Sequence, residues 1–269
     1  MEPLSLLVLL ALGTLAGAIN AAVGSGSLLT LPVLLALGIP PGTAVRTNTI
    51  GILFSTLGST YGYRREIARE RGNLGPLVLV TAVCATAGAL LLLASPVAAL
   101  DVVVPILIVV ALAMVLFQKR LTAALRARSE RRAARRRGSG ASAPERSPYR
   151  SPALVAAMGG ASVYGGYFTA AQGVLYLGVL GTFTGRAMGS VNSIKNLLSL
   201  VVNLAAALVY LVAHLVLGVE VVWLATAAIA VGALLGGYFG AHLAKRMPEW
   251  LLRGIIVAVA LIALVRQVL

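Results

Sequence analysis

Acidic residues are scarce in this 269-residue chain: eight stand against 22 Lys and Arg, and charged residues make up only 11% of the total. All eight (Glu2, Glu66, Glu70, Asp101, Glu130, Glu145, Glu220, Glu249) fall between or at the ends of apolar stretches. None is placed to relay protons inside a membrane. The single cysteine, Cys84, excludes an internal disulfide and, inside an apolar stretch, reads as a small packing residue. The two histidines, His214 and His242, have no second ligand at metal spacing. No nucleophile–base pair, P-loop or dinucleotide fingerprint occurs. These absences exclude the common enzyme classes, so no catalytic residue, metal or cofactor is expected. ATP-driven coupling has no motif to support it.

What fills the chain instead is apolar: 59% hydrophobic residues, mean hydropathy +0.95 and 29 glycines. A soluble domain cannot hide so much apolar surface, whereas helices in lipid expose it at no cost. Apolar stretches of about 20 residues, each able to cross about 30 Å of hydrocarbon, recur along the chain. Six read as full spans: residues 43–63, 74–94, 102–118, 186–213, 221–243 and 251–268. Two more, 4–37 and 152–183, are too long for one span and are interrupted by small polar residues. The first begins without a basic region or a small-residue cleavage site, and reads as membrane structure rather than a removable signal. Trp223 and Trp250 stand near span ends as interfacial anchors.

The net charge of +14 suggests nucleic acid until its distribution is read. Half of the basic residues lie in residues 119–150, without the aromatic interleaving that would stack bases. Basic residues between spans mark the cytoplasmic side, with anionic lipid headgroups as a further contact. Arg64, Arg65, Arg69 and Arg71 place the connection after the first span there too. The connection 95–101 lacks Lys and Arg and is expected outside. In the second half the order reverses: 214–220 lacks Lys and Arg, while the next connection carries Lys245, Arg246 and Arg253. Corresponding loops thus sit on opposite sides, the signature of inverted repeats. The expected fold is an all-α polytopic inner-membrane protein of two inverted repeats, each an interrupted (re-entrant) hairpin plus three transmembrane helices. Residues 1–118 form the first repeat, 119–150 a cytoplasmic linker and 151–269 the second repeat. Both termini are expected on the periplasmic side.

The interruptions fall at Gly24-Ser25-Gly26-Ser27 and Ala170-Ala171-Gln172-Gly173. Non-helical backbone at membrane depth persists only where protein or a water-filled cavity satisfies it. A helix starting there points free N–H groups and a positive dipole end at the break, a setting that suits an anion. Small residues also let helices pack closely, and that reading stands beside the first. The span after each break opens on a polar cluster, Arg46-Thr47-Asn48-Thr49 and Ser190 to Asn196. Asn196 and Asn203, seven apart, share a helix face. Arg46 and Lys195 are the cations clear of the basic loops, either serving an anion site or snorkelling to the interface.

With these residues in view, the chain resembles the sulfite exporter TauE/SafE family of membrane permeases. The resemblance rests on the run Gly17-Ala18-Ile19-Asn20-Ala21-Ala22-Val23-Gly24-Ser25-Gly26-Ser27-Leu28-Leu29-Thr30-Leu31-Pro32, then Thr47-Asn48-Thr49. In the second half it rests on Tyr164 to Gly173, then Lys195-Asn196 through Asn203. Arg46 stands where a small residue is expected, and Thr169 where glycine is more usual. The resemblance implies transport of small sulfur-containing anions such as sulfite, sulfonates or thiosulfate. The candidate substrate-binding set is Asn20, Gly24, Ser25, Gly26, Ser27, Arg46, Thr47, Asn48, Gln172, Gly173, Ser190, Asn192, Lys195 and Asn196. The expected function is a secondary transporter working by alternating access. An anion channel using the same breaks, or a membrane scaffold recruiting partners through its basic linker, are the competing readings.

Overall fold

The computed structural model describes residues 2–70, 74–139 and 148–243, all of whose regular elements are helical. They are α1 (Pro3–Ala22), α2 (Ser27–Ala36), α3 (Pro41–Gly62), α4 (Arg64–Glu70), α5 (Gly75–Ala94) and α6 (Val97–Ser139). After a single 3-10 turn at Pro148–Arg150 come α7 (Pro152–Phe168), α8 (Gln172–Thr184), α9 (Met188–Leu217) and α10 (Trp223–Leu243). The expected last span, with Lys245, Arg246, Trp250 and Arg253, lies outside the described residues, as does Arg71.

Local chemistry explains where the helices start and stop. Proline occupies the first turn of α1, α3, α5 and α7, where its missing N–H costs nothing. Gly185 and Gly218, both with positive φ, close α8 and α9. Five described helices are long and apolar enough to cross a membrane: Pro3–Ala22, Gly75–Ala94, Val97–Gln118, Met188–Leu217 and Trp223–Gly240. Large apolar side chains such as Leu79, Ile106 and Val212 stay exposed along them, a surface suited to lipid.

Three expectations shift in detail. α1 alone is long enough to cross, while α2, with 10 residues, covers only about 15 Å. The first interrupted segment is thus a long arm and a short one. α3 has 22 residues but is too polar to count among the apolar spans, because Arg46, Thr47, Asn48 and Thr49 crowd its first half. The span expected at 102–118 starts earlier and does not stop where the charges begin. α6 runs on as helix to Ser139, since its Ala, Leu and Arg residues favour helix.

Packing interlocks the two halves. α1 lies along α10, and α5 lies along α7; α3 packs on both α10 and α9. Exchanging α1 for α7, α3 for α9 and α5 for α10 turns each of the first two pairs into the other. Backbones approach closely enough at these interfaces that a Cβ on Gly236 would collide with the Thr14 carbonyl, and one on Gly88 with that of Val163. α3 and α9 run antiparallel. At one end Arg46 Nε donates to the Glu220 carbonyl at 3.1 Å and the Val222 N–H to Thr47 Oγ1 at 3.0 Å. At the other, Asn192 Nδ2 donates to the Tyr63 hydroxyl at 3.0 Å, and Arg186 pairs with Glu70 at 3.3 Å.

Candidate functional site: two helix breaks in contact

Both chain interruptions are present, and they touch. The first runs from Val23 to Gly26, the second from Thr169 to Ala171. The Gly173 N–H donates to the Gly24 carbonyl at 3.1 Å, and a Cβ on either glycine would overlap the other's Cα. Gly24 also has φ of 86°, so two separate constraints require glycine there.

At the first break, the opening turn of α2 is bonded within itself: Leu28 N–H donates to the Ser25 carbonyl at 3.1 Å, and Leu29 N–H to that of Gly26 at 2.9 Å. Among the described residues, the N–H groups of Ser25, Gly26 and Ser27 have no acceptor. The Ser25 hydroxyl, fully buried, has none either. These groups sit at the positive end of α2, where an anion is favoured. Beside them Asn48, from α3, accepts the Thr30 hydroxyl on Oδ1 and leaves its buried Nδ2 unpartnered. Gly26 is pressed so close to α1 that a Cβ would strike the Ala16 carbonyl.

At the second break the carbonyls of Thr169, Ala170 and Ala171 are all engaged, while the N–H groups of Thr169 and Ala171 have no acceptor among the described residues. Gln172 N–H donates to the Thr169 carbonyl at 3.3 Å and Val174 N–H to that of Ala171 at 3.0 Å. Tyr164 donates its hydroxyl to the Ala170 carbonyl at 2.8 Å. Thr169 and Ala171 both carry positive φ, 66° and 57°, a strained state for residues with a Cβ. Thr169 is held by Thr49 of α3 at 2.9 Å and by the Gly165 carbonyl at 3.1 Å. The Gln172 side chain is buried, and its Oε1 lacks a partner.

The polar start of α9 faces the end of α1. Lys195, wholly buried, donates from Nζ to the carbonyls of Asn20 at 3.0 Å and Ala21 at 3.3 Å. Asn196 Nδ2 reaches the Ala21 carbonyl at 3.2 Å and Asn192 Nδ2 the same oxygen at 3.5 Å. The last carbonyls of a helix carry partial negative charge, so an ammonium there is stabilised. Two of its three N–H groups are engaged. The Asn20 side chain turns the other way, donating to Ser55 Oγ at 3.3 Å, which in turn donates to the Gly17 carbonyl at 3.3 Å.

Of the residues read from the sequence, Asn20, Gly24, Ser25, Gly26, Ser27, Asn48, Gln172, Gly173, Asn192, Lys195 and Asn196 gather at the breaks or at the adjoining end of α1. Three lie elsewhere. Arg46 is tied outward to the Glu220 carbonyl and to Thr43 at 3.0 Å. Thr47 is used by the N-terminal end of α10. Ser190 is half-buried in the first turn of α9, its carbonyl accepting the Ser193 hydroxyl at 2.8 Å. Thr30, Thr49 and Thr169 were missing from the set, although all three stand within its motifs.

The profile of the family described as "Sulfite exporter TauE/SafE" matches residues 9–266. The chain is 27% identical over 259 residues to "Probable membrane transporter protein YfcA" of Escherichia coli (strain K12), covering 96% of this chain and 88% of that protein. The protein of the same name from Escherichia coli O157:H7 matches equally. A shorter likeness, 33% over 95 residues, links it to "Probable membrane transporter protein ORF9" of Sinorhizobium sp, across 35% of this chain and 36% of that one. No solved structure matches the chain. With its apolar helices and a family match over nearly the whole length, this is a multi-pass membrane protein that belongs to the TauE/SafE sulfite exporter family of membrane transporters.

Proposed function

We propose that the protein is a secondary transporter of the inner membrane for a small sulfur-containing anion: sulfite, a sulfonate or thiosulfate. Binding occurs where the two breaks meet, and two inverted repeats alternate access to it. The observation that carries this reading is the group of buried donors without acceptors at the first break. They are Ser25 Oγ, the N–H groups of Ser25, Gly26 and Ser27, and Asn48 Nδ2. Buried polar groups in lipid are costly unless partnered, and an oxyanion satisfies several at once. Lys195 contributes the positive charge while holding the end of α1 in place. The inverted-repeat reading is supported by the antiparallel run of α3 and α9 and by the exchange of the α1–α10 and α7–α5 pairs. It puts both termini on the periplasmic side and the linker 119–150 in the cytoplasm, against anionic headgroups.

The test is stabilisation of purified protein by sulfite, thiosulfate, sulfonates and carboxylates, since binding to the folded state raises its apparent stability. Sulfur oxyanions are expected to raise the melting temperature of the parent and to do so far less for Lys195→Gln. Equal shifts in parent and variant would move the site elsewhere. Saturable counterflow in liposomes is expected, whereas ohmic single-channel currents would make the protein a channel.

A further inference from the structure

α9 carries a polar line that starts at the anion site with Asn192 and Asn196 and runs on beyond it. Asn196, Ser199, Asn203 and Tyr210 follow Asn192 by 4, 7, 11 and 18 residues. At 3.6 residues per turn those intervals keep all five on one face along about 27 Å of helix. At the ends of the line the donors are partnered, Asn192 and Asn196 Nδ2 on the Ala21 carbonyl and Tyr210 on the Gly166 carbonyl at 2.9 Å, with Asn192 Oδ1 left over. The middle is not. Ser199 Oγ and both amide atoms of Asn203 lack any hydrogen bond among the described residues, at 3% and 1% exposure. Gln172 Oε1, likewise orphaned, and Val202 of α9 both close on Gly165, at 2.5 and 3.2 Å from where its Cβ would stand. α7, α8 and α9 therefore converge on this stretch. The matching stretch of α3 behaves oppositely. Ser55 stands seven residues after Asn48, as Asn203 does after Asn196, and is closed off by Asn20 and Gly17. Polar side chains with nothing to bond are kept in a buried helix face only where water or a ligand supplies the partner.

We propose that Gln172, Ser199 and Asn203 form a second, uncharged station through which the hydrated anion passes on its way to or from the breaks. This rests on the anion site proposed above. Hydroxyl and amide groups exchange bonds with an oxyanion without a fixed charge to trap it, which lets the ligand leave as readily as it enters. In a Cys84→Ala parent, Ser199→Cys and Asn203→Cys should react with a negatively charged methanethiosulfonate reagent at least tenfold faster than Leu204→Cys and Leu208→Cys, which face outward. Asn203→Leu should bind the anion that best stabilises the parent within twofold of the parent's affinity. Its uptake of that anion into proteoliposomes should fall at least tenfold. Labelling no faster than at Leu204 and Leu208, or parent-rate uptake with a raised melting temperature in Asn203→Leu, would make these residues packing features and overturn the station. Should none of sulfite, thiosulfate or ethanesulfonate stabilise the parent, the anion site itself falls, an outcome the labelling rates alone cannot produce.

Discussion

The two breaks meet at a glycine pair, yet they are built differently. The first bends at Gly24 and leaves three backbone N–H groups and the Ser25 hydroxyl free. The second bends at Thr169 and Ala171, which have Cβ atoms and resist positive φ; its carbonyls are all engaged, two of its N–H groups lack an acceptor among the described residues, and side chains from α3 and α7 brace it. Strain is kept only where surroundings over-determine it, and Thr49, Tyr164 and the Gly165 carbonyl do so here. The first break is thus an open cradle and the second a braced buttress.

The largest effect should come from the shared glycine contact. Gly24→Val adds a left-handed penalty of about 1–2 kcal/mol to an overpacking cost of about 1–3 kcal/mol. Gly173→Val carries only the second term. Thermal unfolding in detergent should therefore rank Gly24→Val below Gly173→Val, and the reverse order would undo the distinction between them. Next, Ser25→Ala should weaken anion binding by about one to two powers of ten, the equivalent of about 1.5–3 kcal/mol for a hydrogen bond to a charged group. Its melting temperature without ligand should not fall, because the hydroxyl removed has no partner. Titration calorimetry giving parent affinity would close the cradle. Ala171→Gly should stabilise the protein by about 1–2 kcal/mol through relief of positive φ, with anion affinity kept within twofold. A lost affinity would mean that the buttress also touches ligand. The smallest change expected is for Thr49→Val, which removes one bond to Thr169 at about 0.5–1.5 kcal/mol. Chemical denaturation should detect it, and an effect on binding larger than on stability would assign Thr49 to the cradle.

Much of this was legible in the sequence because the signals are local. Glycine and serine inside an apolar run mark a break whatever surrounds them, and both breaks lie where those residues cluster. Basic loops and apolar run lengths likewise locate helices without tertiary knowledge. Lys195 shows where legibility ends. Its burial and cationic head suggested an anion partner, but its nearest acceptors are backbone carbonyls of Asn20 and Ala21, 175 and 174 residues away. Carbonyl groups exist at every residue, so no side-chain pattern announces which of them will be waiting. Thr47 and Arg46 mislead in the same manner: a polar cluster at a span start reads as one site, while the helix turns those two toward the end of α10 and Glu220. The span read as 102–118 ends at the charges, though arginine and alanine both continue a helix readily and α6 runs to Ser139.

The pairing of α1 with α10 bears on how the chain is made. α1 ends at Ala22 and its main partner begins at Trp223, so about 200 residues must be synthesised in between. At about 5–20 residues per second that is a wait of about 10–40 s. During this interval the face of α1 that carries Gly13 and Gly17 lacks its main partner. The cradle at Gly24 cannot take its final shape before Gly173 arrives. The Gly24–Gly173 contact is therefore acquired only after about two thirds of the 269-residue chain has been made.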